Sequence, residues 1–388
     1  MKLIHTADIH LDASYAGATA PVGYGKRRRR RLREVFADIL TRGLEWPADA
    51  ILIPGDLFDH DRVSRDTVAF LSEQFIRVAP LPVFIAPGNH DPYQADSPYA
   101  TERWPKNVHV FSEAAWRSVE LAGLPLTVHG FAFDGPDISD NPFPELKVPR
   151  DGRIHVALGH GSERAHQPEH AQSYAAFSAA EVVQPGLHYL ALGHFHAFTP
   201  ITGNFTTAVC YSGAPEGHSF NELGARHYLE IEIPAPGEAG ATRIAPVSLS
   251  KSVFCAQTHD CGLYSYTGEL VNAILEPLRG EKADVVLRVT LTGICPPQIA
   301  EELDAVREAV ANEVDAFFLI DTSQPAEEFE AVAEEPTSLG LFVRRINQEI
   351  LDAPTPEQRA LLVRARELGV AAYRGGNLPV RGLEGAGA

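Results

Sequence analysis

Seven side chains with metal-ligating chemistry stand at the ends of five short apolar runs in this 388-residue chain. Asp8 and His10 close the run from Leu3, and Asp56 follows Ala50-Ile51-Leu52-Ile53-Pro54-Gly55. Asn89 follows Val83-Phe84-Ile85-Ala86-Pro87-Gly88, His160 ends Ile154-His155-Val156-Ala157-Leu158-Gly159, and His194 and His196 follow Tyr189-Leu190-Ala191-Leu192-Gly193. In Asp-x-His the two side chains share one side of an extended chain, because successive strand residues alternate. Carboxylate and amide oxygens mixed with imidazoles suit Mn²⁺, Fe²⁺ or Zn²⁺. A centre for two ions needs a bridging carboxylate, and Asp56 is the natural candidate. One Gly-His means little alone. Five such stretches in fixed order, each after an apolar strand, argue against the plainer reading of satisfied polar residues at strand ends. The centre of the pattern is Pro87-Gly88-Asn89-His90-Asp91, at the carboxyl edge where open α/β sheets build their sites. Gly88 is read as permitting a tight turn.

The elements that must position these groups are legible as patterns. Strand, helix, strand, helix, strand over the first 90 residues, with one helix near 64 to 78, indicates βαβ units. Residues 105 to 150 are rich in Pro, Gly and Asp and read as short strands and loops, and strands continue to about residue 233. The stretch 234–241 reads as a linker or a hairpin loop. The expected division is a domain over 1–235, a small α/β domain over 250–330, and a helical region over 336–388 with a disordered Gly-rich end. Hydrophobic residues make up 45% of the chain, enough for a core, yet no apolar stretch of transmembrane length occurs. The N-terminus lacks the apolar region of a signal peptide. Cys210, Cys255, Cys261 and Cys295 form no C-x-x-C pair, which fits a reduced, cytoplasmic setting without a thiolate zinc site.

One segment runs against the composition. Lys26, Arg27, Arg28, Arg29, Arg30, Arg31 and Arg33 cluster just before an amphipathic helix marked by Leu32, Val35, Phe36, Ile39 and Leu40, in a chain of net charge −18. Overall acidity excludes broad, indiscriminate binding to nucleic acid, so any such binding must be local. Cations are disfavoured at a helix N-terminus, which tilts the reading from a solvated helix start to phosphate binding. A loop leaving the first strand could hold these residues beside the metals. His5, His129, His155 and His188 lie in or beside apolar stretches and read as packed, with His5 the closest to the site, and Cys210 reads as core. His166 and His170 read as loop residues near the site.

Taken together, Asp8-Ile9-His10, Gly55-Asp56, Gly88-Asn89-His90-Asp91, Gly159-His160 and Gly193-His194-Phe195-His196 resemble the calcineurin-like metallophosphoesterases. His5 to Leu11, Gly55 to Asp59 and His160-Gly161-Ser162 are similar to the DNA double-strand-break repair nucleases, the SbcD and YhaO type. The likeness is specific over residues 1 to about 215 and architectural beyond 250. It implies a β-sandwich flanked by helices in four αββα layers, with a smaller C-terminal α/β capping domain and a helical tail. It implies that Asp8, His10 and His196 hold one divalent ion, that Asn89, His160 and His194 hold the other, and that Asp56 bridges them. Mn²⁺ is the first expectation, with Fe²⁺ or Zn²⁺ as alternatives. His90 would face the scissile phosphate and Asp91 would orient His90. Asp59, where some relatives carry histidine, and Asp12 receive no role. The implied activity is DNA phosphodiester hydrolysis in repair, as exonuclease, endonuclease or both. The implied partners are DNA, a coiled-coil ATPase docking on Leu341, Phe342, Ile346, Leu361, Leu362 and Leu368, and a second copy in a homodimer. The alternatives are a phosphodiesterase or phosphatase for a small nucleotide-type substrate, favoured by the acidity, and a non-catalytic module on a decayed site. The fold alone does not choose between them.

Overall fold

A computed structural model describes residues 1–15, 20–167, 172–203, 207–238, 240–281, 283–325 and 329–375. Two compact units divide the chain, Met1–Cys255 with Glu281–Val286, and Ala256–Gly280 with Leu287–Ala388.

In the first unit, β1 (Lys2–His5), α1 (Tyr24–Glu45), β2 (Ala50–Ile53), α2 (Arg65–Val78), β3 (Val83–Ile85) and β4 (Val108–Val110) form the expected βαβ series. A second series follows: β5 (Arg117–Glu120), β6 (Leu126–Gly130), β7 (Ile154–His160), β8 (Leu187–Gly193), β9 (Thr199–Ile201), β10 (Ala208–Tyr211), β11 (Tyr228–Glu232) and β12 (Arg243–Val247). They build two six-stranded sheets, ordered β12-β11-β1-β2-β3-β4 and β5-β6-β7-β8-β10-β9. The apolar runs are continuous because the central strands are covered on both faces. Ile4, Ile51, Ile53, Val83 and Ile85 pack with Leu32, Phe36, Leu71 and Phe75 of α1 and α2. Their strand neighbours Leu3, Leu52 and Phe84 turn the other way, onto Val128, Val156 and Tyr189 of the second sheet. The outer face of the second sheet is covered by Phe143, Phe177 and Val182 from the chain between β6 and β8. Among the described residues that layer is coil with one 3₁₀ turn, Phe143–Glu145.

α1 begins earlier than expected, after Gly23, and takes in the whole basic run. Its buried stripe is Tyr24, Arg28, Leu32, Val35, Phe36, Ile39, Leu40 and Gly43, so one arginine occupies a core position. α2 is capped by the Ser64 hydroxyl, which accepts from the Thr67 amide at 3.2 Å.

The stretch 234–241 is the hairpin loop between β11 and β12, which pair antiparallel from Tyr228↔Val247 to Glu232↔Arg243. The first unit therefore extends past residue 235, because β11 takes β12 as its outer partner. Ala239 lies outside the described residues.

The second unit holds the greater part of a three-stranded sheet ordered Ser252–Asp260, Asp284–Thr292, Ala316–Asp321, with helices Thr267–Leu275 and Leu303–Ala311. The helices Phe329–Glu334, Ser338–Asp352 and Pro356–Tyr373 belong to the same unit rather than to a separate region. They share a cluster of Phe329, Val332, Leu339, Val343 and Val370, with Phe342 packed against it. Ile346 is buried, whereas Leu341 and Leu361 are exposed. The Gly-rich end after residue 375 lies outside the described residues. Among the described residues no helix is long and apolar enough to cross a membrane.

Candidate metal centre

The carboxyl ends of β1, β2, β3, β7 and β8, and the loops that leave them, carry the seven candidate ligands to one place. Asp8, His10, Asp12, Asp56 and His194 all have positive φ, at 54°, 48°, 67°, 54° and 110°. Left-handed backbone at a residue with a side chain costs on the order of 1–3 kcal/mol, and it concentrates where a site over-determines the chain. Here the first two loops are laced together: Asp8 donates its amide to the Gly55 carbonyl, and Ile9 and His10 donate to the Asp56 carbonyl. Gly88 does not use left-handed backbone. Its role is close approach, because a Cβ there would lie 2.5 Å from Asp56 Oδ1 and 2.8 Å from His160 Nδ1.

His10 Nε2 and His196 Nε2 face each other at 3.2 Å. Asp8, His10 and His196 each offer a ligand atom within 4.8 Å of the others, and so do Asp8, Asp56 and His160. Asp56 Oδ2 stands 3.6 Å from His10 Nε2 and 3.4 Å from His160 Nε2, between the two groups. His160 Nε2 also meets Asn89 Oδ1 at 2.9 Å. The His194 ring lies 5.3 Å from that of His160, and its amide donates to Asp8 Oδ1 at 2.9 Å. The other oxygen, Asp8 Oδ2, is buried with no hydrogen-bond partner. A buried, unpartnered carboxylate oxygen beside facing imidazole nitrogens is unfavourable unless a cation satisfies it. The donor set therefore fits divalent ions.

The electrostatics of Asp56 and His194 agree. Burial pushes Asp56 up, but the imidazoles of His160, His10 and His90 outweigh it and hold the carboxyl down to about 2. Burial, and then His160, lower His194 to about 3. His194 is thus the neutral imidazole that ligation requires.

The neighbourhood of His90 corrects one assignment. Asp91 does not orient His90. Its buried carboxylate accepts from the amides of Gly88, Asp56 and Leu57 at 2.7, 2.9 and 2.8 Å and from the Tyr99 hydroxyl at 2.7 Å. It ties the β2 and β3 loops together. The carboxylate beside His90 is Asp59, whose Oδ1 lies 3.3 Å from His90 Nδ1 and 2.8 Å from His10 Nδ1. Chiefly through that bond, His90 is raised to about 9. A cavity of about 400 Å³ opens beside it, lined by Asp59, His60, Asn89, His90 and Tyr174 among others.

Two further residues support the centre. Glu222 Oε1 accepts from His196 Nδ1 at 2.8 Å, and His218 Nε2 reaches the Asp8 carbonyl at 3.3 Å. Neither carried a signal beyond its residue type. Asp59 carried a weak one, the third position after Asp56. Asp12 accepts from the Ser64 amide and the Thr67 hydroxyl, tying the β1 loop to α2.

The histidines that the sequence marks as packed are bonded. His5 meets the Tyr189 hydroxyl at 2.7 Å and the Leu192 carbonyl at 3.2 Å. His129 and His155 share a 3.0 Å bond, and His188 accepts from the His155 amide. His166 bonds Glu163, and His170 lies outside the described residues. Cys210 is buried in β10.

The basic run departs most from expectation. It lies inside α1 rather than on a loop at the sheet edge. Arg28 is fully buried, 3.1 Å from Glu216 Oε1, and donates to the Gly217 carbonyl at 2.6 Å, so it is withdrawn from any phosphate. Arg31 pairs with Glu34 at 2.9 Å and with Asp284. Arg30 pairs with Glu34 at 3.3 Å, and Arg33 donates to the Thr67 hydroxyl at 2.7 Å. Lys26, Arg27, Arg29, Arg30 and Arg33 still line one cavity of about 340 Å³, with Asp12.

Residues 1–198 match the family of calcineurin-like phosphoesterases. The chain belongs to that family. It is a metal-dependent hydrolase of phosphoesters. It is similar to the uncharacterized metallophosphoesterase YhaO of Bacillus subtilis strain 168, at 25% identity over 81% of this chain and 79% of that one. It is also similar to the DNA double-strand break repair protein Mre11 of Aeropyrum pernix, at 26% identity over 61% of this chain and 59% of that one. The same-named protein of Methanosarcina mazei is 26% identical over 63% of this chain and 38% of that one. This chain thus aligns with less than two thirds of either archaeal relative.

Proposed function

We propose that this enzyme is a Mn²⁺-dependent DNA phosphodiesterase of the repair type, acting as exonuclease, endonuclease or both. The observation that carries the DNA reading is the cation-lined cavity of α1 in an otherwise acidic protein. Asp12, on its wall, follows His10 by two residues, so the cavity adjoins the loop that carries the first candidate ligands. Contacts with phosphate position a backbone without reading its sequence. The printed names of the archaeal relatives add support.

In this reading Asp8, His10 and His196 hold one ion, Asn89, His160 and His194 hold the other, and Asp56 serves both. Bound divalent ions would polarise the phosphoryl group and lower the pKa of water. The chain's own groups then act on the ester. Asp59 holds Nδ1 of His90, which leaves Nε2 of a protonated ring uncommitted to that bond, on a residue that lines the cavity. From there it hydrogen-bonds the phosphoryl oxygen or donates its proton to the departing one. Asp91 keeps the loop beneath His90 fixed.

The partners follow as part of the same proposal: DNA, a coiled-coil ATPase meeting the exposed Leu341 and Leu361, a second copy of this chain, and a reduced cytoplasmic setting. The deciding experiment gives the purified protein Mn²⁺ and offers linear duplex, single-stranded DNA and bis(p-nitrophenyl) phosphate. Cleavage of DNA is expected. Hydrolysis of the small ester without DNA cleavage would replace this reading by the small-nucleotide one, which the self-neutralised arginines Arg28 and Arg31 favour.

A further inference from the structure

The chain between β10 and β11 touches the first group of ligands at three separate points. Glu222 Oε1 accepts from His196 Nδ1 at 2.8 Å, which leaves His196 Nε2 bare and aimed at His10 Nε2, 3.2 Å away. Glu222 Oε2 accepts the His218 amide at 2.8 Å. The His218 ring then reaches the Asp8 carbonyl at 3.3 Å, while its other nitrogen meets the Tyr15 hydroxyl at 3.3 Å. Arg226 donates to the His196 carbonyl and stands 3.8 Å from Glu222.

The segment is anchored at its base. Glu216 pairs with Arg28 of α1, and Arg28 also donates to the Gly217 carbonyl. Gly213, at φ 72°, runs so close to the preceding loop that a Cβ there would lie 2.7 Å from the His196 carbonyl. His196, His218 and Glu222 offer atoms within 4.8 Å of one another, but both Glu222 oxygens are committed to N–H donors. They form a buttress and not a third set of ligands.

We propose that Glu222 is the positioning residue of the first metal group: it fixes the tautomer and orientation of His196, and the β10–β11 segment clamps His196 and Asp8 together. A carboxylate that takes the far N–H of a ligating imidazole also raises its basicity, and removing such a partner typically weakens metal binding about 10–100-fold. His160 has a backbone carbonyl in that position, Pro54 at 3.0 Å, so the two groups are supported by different parts of the chain. Loss of Glu222 therefore acts on one ion only. The inference rests on the dimetal reading and not on DNA as substrate.

The test uses the full chain, stripped with a chelator and titrated with Mn²⁺ by calorimetry and electron paramagnetic resonance. Wild type is expected to take two ions per chain with a spin-coupled signal. Glu222→Ala should weaken one site about 10–100-fold, leave the other within about twofold, and give an uncoupled signal at one equivalent. Glu222→Gln keeps an acceptor for His196 Nδ1–H but turns its NH₂ to the His218 amide, so it should recover most of the affinity while its metal-free unfolding temperature stays with that of Glu222→Ala. Wild-type binding in Glu222→Ala overturns the proposal. So does equal loss of both sites, or a drop in metal-free stability that parallels the loss of binding. Should the alanine variant not fold, Glu222→Asp, too short to reach His196, must show the one-site loss. A wild-type stoichiometry below two removes the dimetal reading itself, whatever the DNA assay returns.

Discussion

Replacing Arg28 by methionine should damage the fold and not DNA binding. Arg28 and Glu216 are both fully buried, with Nη1 and Oε1 3.1 Å apart. The guanidinium also lies against the rings of Tyr15 and Phe254, 5.6 and 5.0 Å from their centroids. Methionine fills the space between those rings but leaves Glu216 with only the amides of Lys251 and Ser252, at 2.9 and 3.4 Å. Breaking one side of a buried ion pair costs about 3–5 kcal/mol. In a unit of this size each kcal/mol moves Tm by about 2–4 °C, so a fall of about 6–20 °C is expected. Burial already pushes the Glu216 carboxyl up. A raised carboxyl pKa is a penalty present above it and absent below it, so the deficit should narrow as pH falls and Glu216 takes a proton. The double change Arg28→Met with Glu216→Leu should recover most of the loss, because apolar replacement of a whole buried pair is often neutral or better. Thermal unfolding read by circular dichroism across pH, beside DNA binding across salt, decides the matter. An unchanged Tm together with a log–log salt slope reduced by about 0.9 would make Arg28 a phosphate contact and refute the reasoning.

Other perturbations separate the remaining roles. Asp56→Asn should lower Mn²⁺ occupancy and abolish hydrolysis, since a neutral amide cannot offset the charge of two divalent ions, and metal analysis beside turnover checks it. Asp59→Ala should cut turnover by about 10²–10⁴, while Asp91→Asn should chiefly lower the unfolding temperature; reversal of that order would restore Asp91 as the partner of His90. Changing Lys26, Arg29 and Arg30 to serine should flatten the salt slope of DNA binding by at most about 2.7 and leave hydrolysis of bis(p-nitrophenyl) phosphate unaltered, measured on metal-loaded protein. Burial lowers His5 from 6.5 to about 3. The unfolded chain therefore binds the extra proton first. Stability should fall as pH drops through that window, at up to about 1.4 kcal/mol per pH unit from this group, and His5→Gln should show a shallower acid limb in urea titrations.

The fold was legible where pattern and burial coincide. Ile4, Leu52, Phe84 and Val156 sit in runs with one physical meaning, a strand covered on both faces, and the intervening amphipathic stretch of α1 has one as well. The hairpin at 234–241 was not separable from a linker, because Pro, Gly and Ala allow both. Only the backbone pairing of β11 with β12, which no side chain announces, chooses the hairpin. The placement of the basic run is hidden for a related reason. Composition shows seven cations in a row of eight but not which of them faces inward, and the helical period puts Arg28 in line with Tyr24 and Leu32. In retrospect that spacing was the available signal.

The candidate ligands stood out because each sits at the end of a strand, where short-range order forces type and spacing to agree. The groups that hold them follow no such order. Asp59 lies three residues from Asp56 yet acts on His10 and His90, and Glu222 lies 26 residues from the His196 it holds. A carboxylate able to take an imidazole N–H can approach from any element that passes within 3 Å or so, so its position in the chain is left free by the chemistry. The same freedom explains the exchange of roles between Asp59 and Asp91. Adjacency to His90 made Asp91 the obvious partner. In the tight loop, however, the Asp91 carboxylate turns inward to three amides and the Tyr99 hydroxyl, and the exposed side of His90 is met by the carboxylate arriving from β2. Neighbours in sequence alternate in direction; partners in a site are selected by direction, and here the Asp56 amide that Asp91 accepts belongs to a left-handed residue whose carbonyl is laced to the β1 loop.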